Sequence, residues 1–357
     1  MKNYKIPNKF PHNHAPNLLL LSNGDLLCTW FGGSCEGKAD ISIHYSRLKK
    51  GEASWSKPVV LSGDEKRSEQ NPILYEVKPG HLWLLYTAQI GVHQETAVVR
   101  IRKSDDYGRN WSMAEDLFEA EGLFVRNPPI KLENDDILLP AYYCQKSETG
   151  FLGDDYSVVK LSSDGGSSWE EVSIPESRGL VHMSAVELNN KVIVGFFRNR
   201  RADYIYRTLS KDQGRTWSVP EALELPNNNS SIQCLKLNSE RLALVYDDVN
   251  KHISPPKVDM PPWFDKKDME NVGVKEVEKP SAVWGVKRNP LVISLSEDGG
   301  KTWPYKKELI TDEGLEGEPE FSYPSLIQDD TGLIHIAYTY LREYIRYDTI
   351  KESEILD

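Results

Sequence analysis

One eight-residue pattern, Ser-x-Asp-x-Gly-x-x-Trp, occurs four times in this chain, at Ser104 to Trp111, Ser162 to Trp169, Ser210 to Trp217 and Ser296 to Trp303. Each copy has the ingredients of one tight turn. The Asp can accept hydrogen bonds from the turn's own N–H groups, the Gly can take positive φ, and the Trp can bury its ring between strands. A looser fifth copy with two extra residues runs from Ser46 to Trp55. The closing tryptophans, Trp55, Trp111, Trp169, Trp217 and Trp303, are 56, 58, 48 and 86 residues apart. A period near fifty marks stacked or radial units.

Between these turns the chain reads as strand pairs joined by short polar turns, such as 17–21 with 26–31 across Ser22-Asn23-Gly24-Asp25, and 185–188 with 192–197 across Asn189-Asn190. A pair, a third strand, the Asp turn and a fourth strand make one blade of a β-propeller. Pairs beginning near His14, Asn71, Arg126, His182, Asn229 and Tyr323 predict an all-β, six-bladed propeller of four-stranded antiparallel blades. The last blade has no Asp turn. The segment around Asn3 to Ile6 is expected to supply its fourth strand and close the ring. A closed ring has no internal boundary, so residues 1–357 are expected to form a single domain.

The 86-residue gap has a local cause. Residues 250–287 are rich in Pro, Lys, Asp and Glu and include Pro261-Pro262-Trp263-Phe264 and Trp284. They read as an insertion joining the second and third strands of blade five, placed to act as a lid with a stacking aromatic. A formal charge of -11 without a basic block disfavours nucleic acid. The polar start and the absence of a long apolar run predict no leader and no membrane partner. Cys28, Cys35, Cys144 and Cys234 show no metal-ligand or redox spacing, so free thiols and a cytoplasmic location are expected. No metal or cofactor is expected. The sequence does not predict an oligomeric state.

The Asp turns themselves are structural punctuation. In a propeller the ligand sits over the central channel, where the inner strands begin and where second strands hand over to third. The chain resembles the sialidases, six-bladed propellers with Asp boxes, over nearly its whole length. The stretch from His182-Met183-Ser184-Ala185-Val186-Glu187 to Phe197-Arg198 matches their fourth blade. Arg288, eight residues before Ser296, matches the arginine of their fifth. The resemblance implies that Arg198 and Arg288 bind a substrate carboxylate. The first arginine of that family is absent. His14-Ala15-Pro16 stands in its place, leaving His14 as a weaker, pH-dependent anion partner.

The same resemblance implies a general acid at Glu36, with Asp40 as a second candidate in the loop 30–41. It also implies a tyrosine nucleophile at Tyr323 in Glu320-Phe321-Ser322-Tyr323-Pro324. The tyrosine's usual glutamate partner is replaced by His182. Asn71 and Arg126, at the starts of blades two and three, are further channel-facing candidates, and of Arg198, Arg200 and Arg201 only Arg198 is expected to point inward. Together these imply an exo-acting glycosidase taking a terminal acidic sugar, other than standard sialic acid because the first arginine is absent, from a small glycan. Elimination from a uronic acid, and a sugar-binding propeller without catalysis, remain open alternatives.

Overall fold

The computed structural model describes residues 2–145, 154–258, 282–312, 314–317 and 319–357. The chain is a six-bladed β-propeller with antiparallel blades. The innermost strands are His12–Leu20, Arg67–Lys78, Leu123–Val125 with Ile130–Lys131, Leu180–Glu187, Gln233–Lys236 and Phe321–Gln328. Five sheets have four strands; four of these run in chain order from the channel outward, and in the sixth blade the N-terminal strand takes the outermost place. In the third blade the inner strand is split, because Pro128 and Pro129 cannot donate to the ladder; both pieces pair with Ile137–Tyr143.

The ring closes as the sequence predicts. Lys2–Lys5 pairs antiparallel with Tyr344–Lys351, with Lys2 opposite Thr349, and completes the sheet that begins at Phe321. The core is divided among the six gaps between neighbouring blades. One cluster, for example, joins Leu27, Phe31 and Ile43 of the first blade to Leu74, Leu84 and Tyr86 of the second. Central strands such as Leu26–Gly33 are buried along their whole length, which is why they read as apolar runs.

The four Asp turns fasten third strands to fourth strands. In the first, Asp106 Oδ1 accepts from the N–H groups of Arg109 and Asn110, both at 2.9 Å, and Ser104 Oγ accepts from Gly108 N at 2.9 Å. Gly108, Gly166, Gly214 and Gly300 have φ between 77° and 88°, where a Cβ would be strained. The only helix among the described residues is the four-residue Ser353–Leu356. No described helix is long and apolar enough to cross a membrane.

Candidate active site

The inner strands slip register where they meet the channel: between His14 and Asn17, Gln70 and Ile73, Val181 and Ser184, and Ser322 and Ser325. At each slip a non-glycine residue is left-handed: Ala15 at φ 55°, Asn71 at 51°, His182 at 53° and Tyr323 at 54°. Asn229, at φ 61°, occupies the corresponding place ahead of Gln233–Lys236. A bulge of this kind re-aims a side chain, and its strain is held by the surrounding sheet. Asn71, His182 and Tyr323 use it to line one pocket at the mouth of the channel.

Tyr323 is at the centre of that pocket. Its Oη accepts from Arg198 Nη1 at 2.6 Å. The guanidinium carbons of Arg126, Arg198 and Arg288 lie 5.3, 5.6 and 5.7 Å from its ring centroid. Arg198 is fixed from behind by Asn229 Oδ1, 2.9 Å from Nε. Burial, with Arg200 and Arg288 nearby, pushes the Arg198 pKa down to about 10, which still leaves it charged at neutral pH.

His182 meets a different phenol from the one expected. Its Nε2 is 2.9 Å from Tyr142 Oη, and its ring lies edge-on to Tyr323 with centroids 5.7 Å apart. Complete burial, then the charges of Arg198, Arg200, Arg126 and Arg288, hold its pKa well below the ordinary histidine value. It is therefore a neutral imidazole at neutral pH.

Charges alternate along the opposite wall. Arg288 Nη1 donates to Glu320 Oε1 at 2.7 Å, and Arg342 Nε donates to Glu320 Oε2 at 2.9 Å. Arg342 Nη1 then reaches Glu36. Burial works against the Glu320 carboxylate, but the two guanidiniums outweigh it and hold its pKa well below the usual range. The backbone fixes this wall: Phe321 N donates to Arg288 O at 2.9 Å, Leu341 N to Glu320 O at 2.8 Å, and Asn13 N to Arg342 O at 2.6 Å. Arg342, on blade six, is thus held against the start of the first blade, where the sialidase arginine is missing.

Six of the residues singled out from the sequence line the pocket: Glu36, Asn71, His182, Arg198, Arg288 and Tyr323. Three lie outside its lining. His14 is fully buried, with Nδ1 2.8 Å from Thr339 Oγ1, and burial followed by Arg342 and Arg288 keeps its pKa well below the usual value. Asp40 closes its own loop, accepting from Ser34 N at 3.0 Å and Ser34 Oγ at 2.9 Å. Arg126 is fully buried beneath Tyr323, where Nη2 donates to the carbonyls of Pro16, Tyr323 and Pro324 at 3.1–3.3 Å.

The pocket also contains residues that the sequence reading did not assign. Arg342 follows Leu333–Tyr340, the second strand of blade six. Arg200 lines the pocket alongside Arg198, ion-paired at 2.8 Å to the fully buried Asp155 and set 5.6 Å from the ring of Trp284. Arg201 points away and donates to Arg178 O. Trp284 comes from the end of the blade-five insertion and lines the pocket. Pro261 to Phe264 lie outside the described residues. Among the described residues no cluster of three His, Cys, Asp or Glu side chains could hold a metal.

A family model described as a BNR repeat-like domain matches residues 24–336. The chain belongs to that family. This BNR propeller is 22% identical over 377 residues to a sialidase of Bacteroides fragilis, a match covering 96% of the chain and 62% of the relative's length. Its fold is shared with solved sialidases. A Hadza microbial sialidase superposes with a TM-score of 0.76 at 17% identity, over 99% of this chain and 69% of that one. The intramolecular trans-sialidase of Ruminococcus gnavus gives 0.71 at 14% identity, over 97% and 96%. The NanB sialidase of Streptococcus pneumoniae gives 0.73 at 12% identity, over 99% and 70%.

Proposed function

We propose that this BNR propeller is an exo-acting glycosidase that removes a terminal acidic sugar from a small glycan. One observation carries the reading: Arg198 donates to the Tyr323 hydroxyl in a pocket also lined by Arg288, Arg342 and the carboxylate of Glu36. Three guanidiniums in a water-poor pocket call for an anion, and a carboxylate can be held by paired N–H donors. With Arg342 included, the pocket regains the third fixed charge that His14 does not supply. Sialic acid is therefore a fitting substrate beside other acidic sugars.

In this reading the substrate carboxylate competes with Glu36 for Arg342. Released from Arg342, Glu36 takes up a proton from solvent and gives it to the leaving oxygen while Tyr323 Oη attacks the anomeric carbon. To take the phenol's proton His182 has to leave Tyr142 for Tyr323, whose ring it meets edge-on. A buried imidazole among guanidiniums resists that proton, so this transfer is the step expected to limit turnover. Water then displaces the sugar from Tyr323, Glu36 takes the water's proton, and the departing phenolate takes back the proton held by His182.

Elimination from a uronic acid has one observation of its own in favour, the phenol–imidazole pair of Tyr142 and His182 beside the arginines. A panel of sialosides and uronides, read both by reducing-end release and by the ultraviolet absorbance of an unsaturated product, separates the two. Hydrolysis predicts new reducing ends without absorbance, and loss of most turnover in Tyr323→Phe. Turnover that survives in a Glu36→Gln, Tyr323→Phe double variant would remove the chemistry from this pocket.

A further inference from the structure

Asn229 is fully buried, left-handed and fully used. Its Oδ1 accepts from Arg198 Nε at 2.9 Å, and its Nδ2 donates to Val283 O at 2.9 Å. Val283 directly precedes Trp284, the aromatic wall of the pocket. The strap 282–287 has two further ties to the propeller: Val283 N donates to Arg200 O at 2.7 Å, and Asn228 Nδ2 donates to Lys287 O at 2.8 Å. One amide therefore joins an acid-binding guanidinium to the backbone that seats Trp284. The left-handed backbone leaves that amide little freedom to serve one partner without the other, since Asn227 Oδ1 also holds the Asn229 N–H at 3.1 Å.

We infer that Asn229 is a positioning residue that couples the state of Arg198 to the seating of the Trp284 strap. When Arg198 Nε is held in place, Asn229 presents its N–H group to Val283 O and the strap is locked. When Arg198 shifts or is absent, the amide is released and the strap loosens. The coupling itself is a property of the free protein. Its use in catalysis, closing the aromatic wall as an acidic group settles on Arg198, rests on the function proposed above.

The test is hydrogen exchange of peptides covering 282–287 in the full chain without ligand. Arg198→Met and Asn229→Ala are each expected to speed strap exchange by roughly fivefold, the effect of losing about one hydrogen bond. The double variant should exchange no faster than Asn229→Ala alone, because both changes act through one amide. Exchange in the strand Ser42–Leu48 of the first blade, which adds no residue to the pocket, serves as the folding control. A strap indifferent to Arg198→Met, or effects of the two variants that multiply, would overturn the inference, because an Asn229 that merely anchors the strap has no reason to transmit a change at Arg198. In a second arm, N-acetylneuraminic acid is titrated while the Trp284-dependent fluorescence is followed, with Trp284→Phe as the blank. Coupling in the exchange data with no response to the sugar would defeat the reading of sialic acid as a substrate and leave the inference standing.

Discussion

Asp106 and Glu36 are both carboxylates held by nitrogen donors. The donors of Asp106 lie three and four residues along the chain, whereas Arg342, the donor to Glu36, lies 306 residues away. The rim turns form as soon as eight residues meet, and they hold no charge in reserve. In the pocket every charge waits on a partner from another strand or another blade. Arg288 and Arg342 share Glu320, and Arg200 leans on Asp155. Local satisfaction makes a robust scaffold, and distant satisfaction makes a field that a substrate can rearrange.

The largest expected effect lies in the distant pairs. Asp155→Asn leaves Arg200 buried without its counter-ion and should cost about 3–5 kcal/mol of stability, measured by urea unfolding. A loss below about 1 kcal/mol, on the scale of a surface pair, would erase the contrast between pocket and rim. Next comes Arg342→Leu. Affinity for an acidic sugar should fall by about 1.5–3 kcal/mol in calorimetry, while binding of its neutral analogue stays unchanged. At the rim, Asp298→Ala should cost about 1 kcal/mol in thermal unfolding and leave turnover intact.

In pH dependence rim and interior have opposite signs. Backbone and side-chain hydrogen bonds, led by Asn110 N–H for Asp106 and the Ser168 hydroxyl for Asp164, bring both pKa values down to about 2. Their contribution is complete above the unfolded value near about 4 and is lost as pH falls toward 2. Asp247 behaves in the opposite way. Burial lifts its pKa to about 7. Its contribution is complete below about 4 and is lost as pH rises through 7. Asp247→Asn should therefore flatten stability between pH 4 and 7 and leave the acid limb unchanged, as read from urea midpoints across that range.

The same contrast explains what the sequence revealed. The turns, the blade count and the closing strand were legible because each depends on neighbours within a short window or on a repeat. Arg198 and Tyr323 were legible through motifs on a second and an inner strand, and Arg288 through its spacing ahead of the third strand Leu291–Ser296. Arg342 was hidden because its role depends on the first blade lying against the sixth, which no local pattern encodes. The signal available was its place at the end of a second strand, the handover point where ligands are expected. His14 shows the converse error of position: it occupies the motif's place, yet it is packed against Tyr323 with ring centroids 4.1 Å apart and serves the core. Arg200 could have been inferred from the cost of burying a second arginine two residues from the first, had the fully buried Asp155 been recognised as its partner.

The pairing of Lys2–Lys5 with Tyr344–Lys351 has a consequence for how the protein is made. The blade that carries Tyr323 is assembled from the two extremes of the described chain, so it is the last to be completed during synthesis. Until Glu320 and Arg342 have left the ribosome, Arg288 and Glu36 have no partners, and the blades already folded surround an unfinished, charged opening. A chain ending before Glu320 would therefore carry Arg198 and Arg288 without Tyr323, Glu320 and Arg342, so the pocket is complete only once the last strands of the ring have been made.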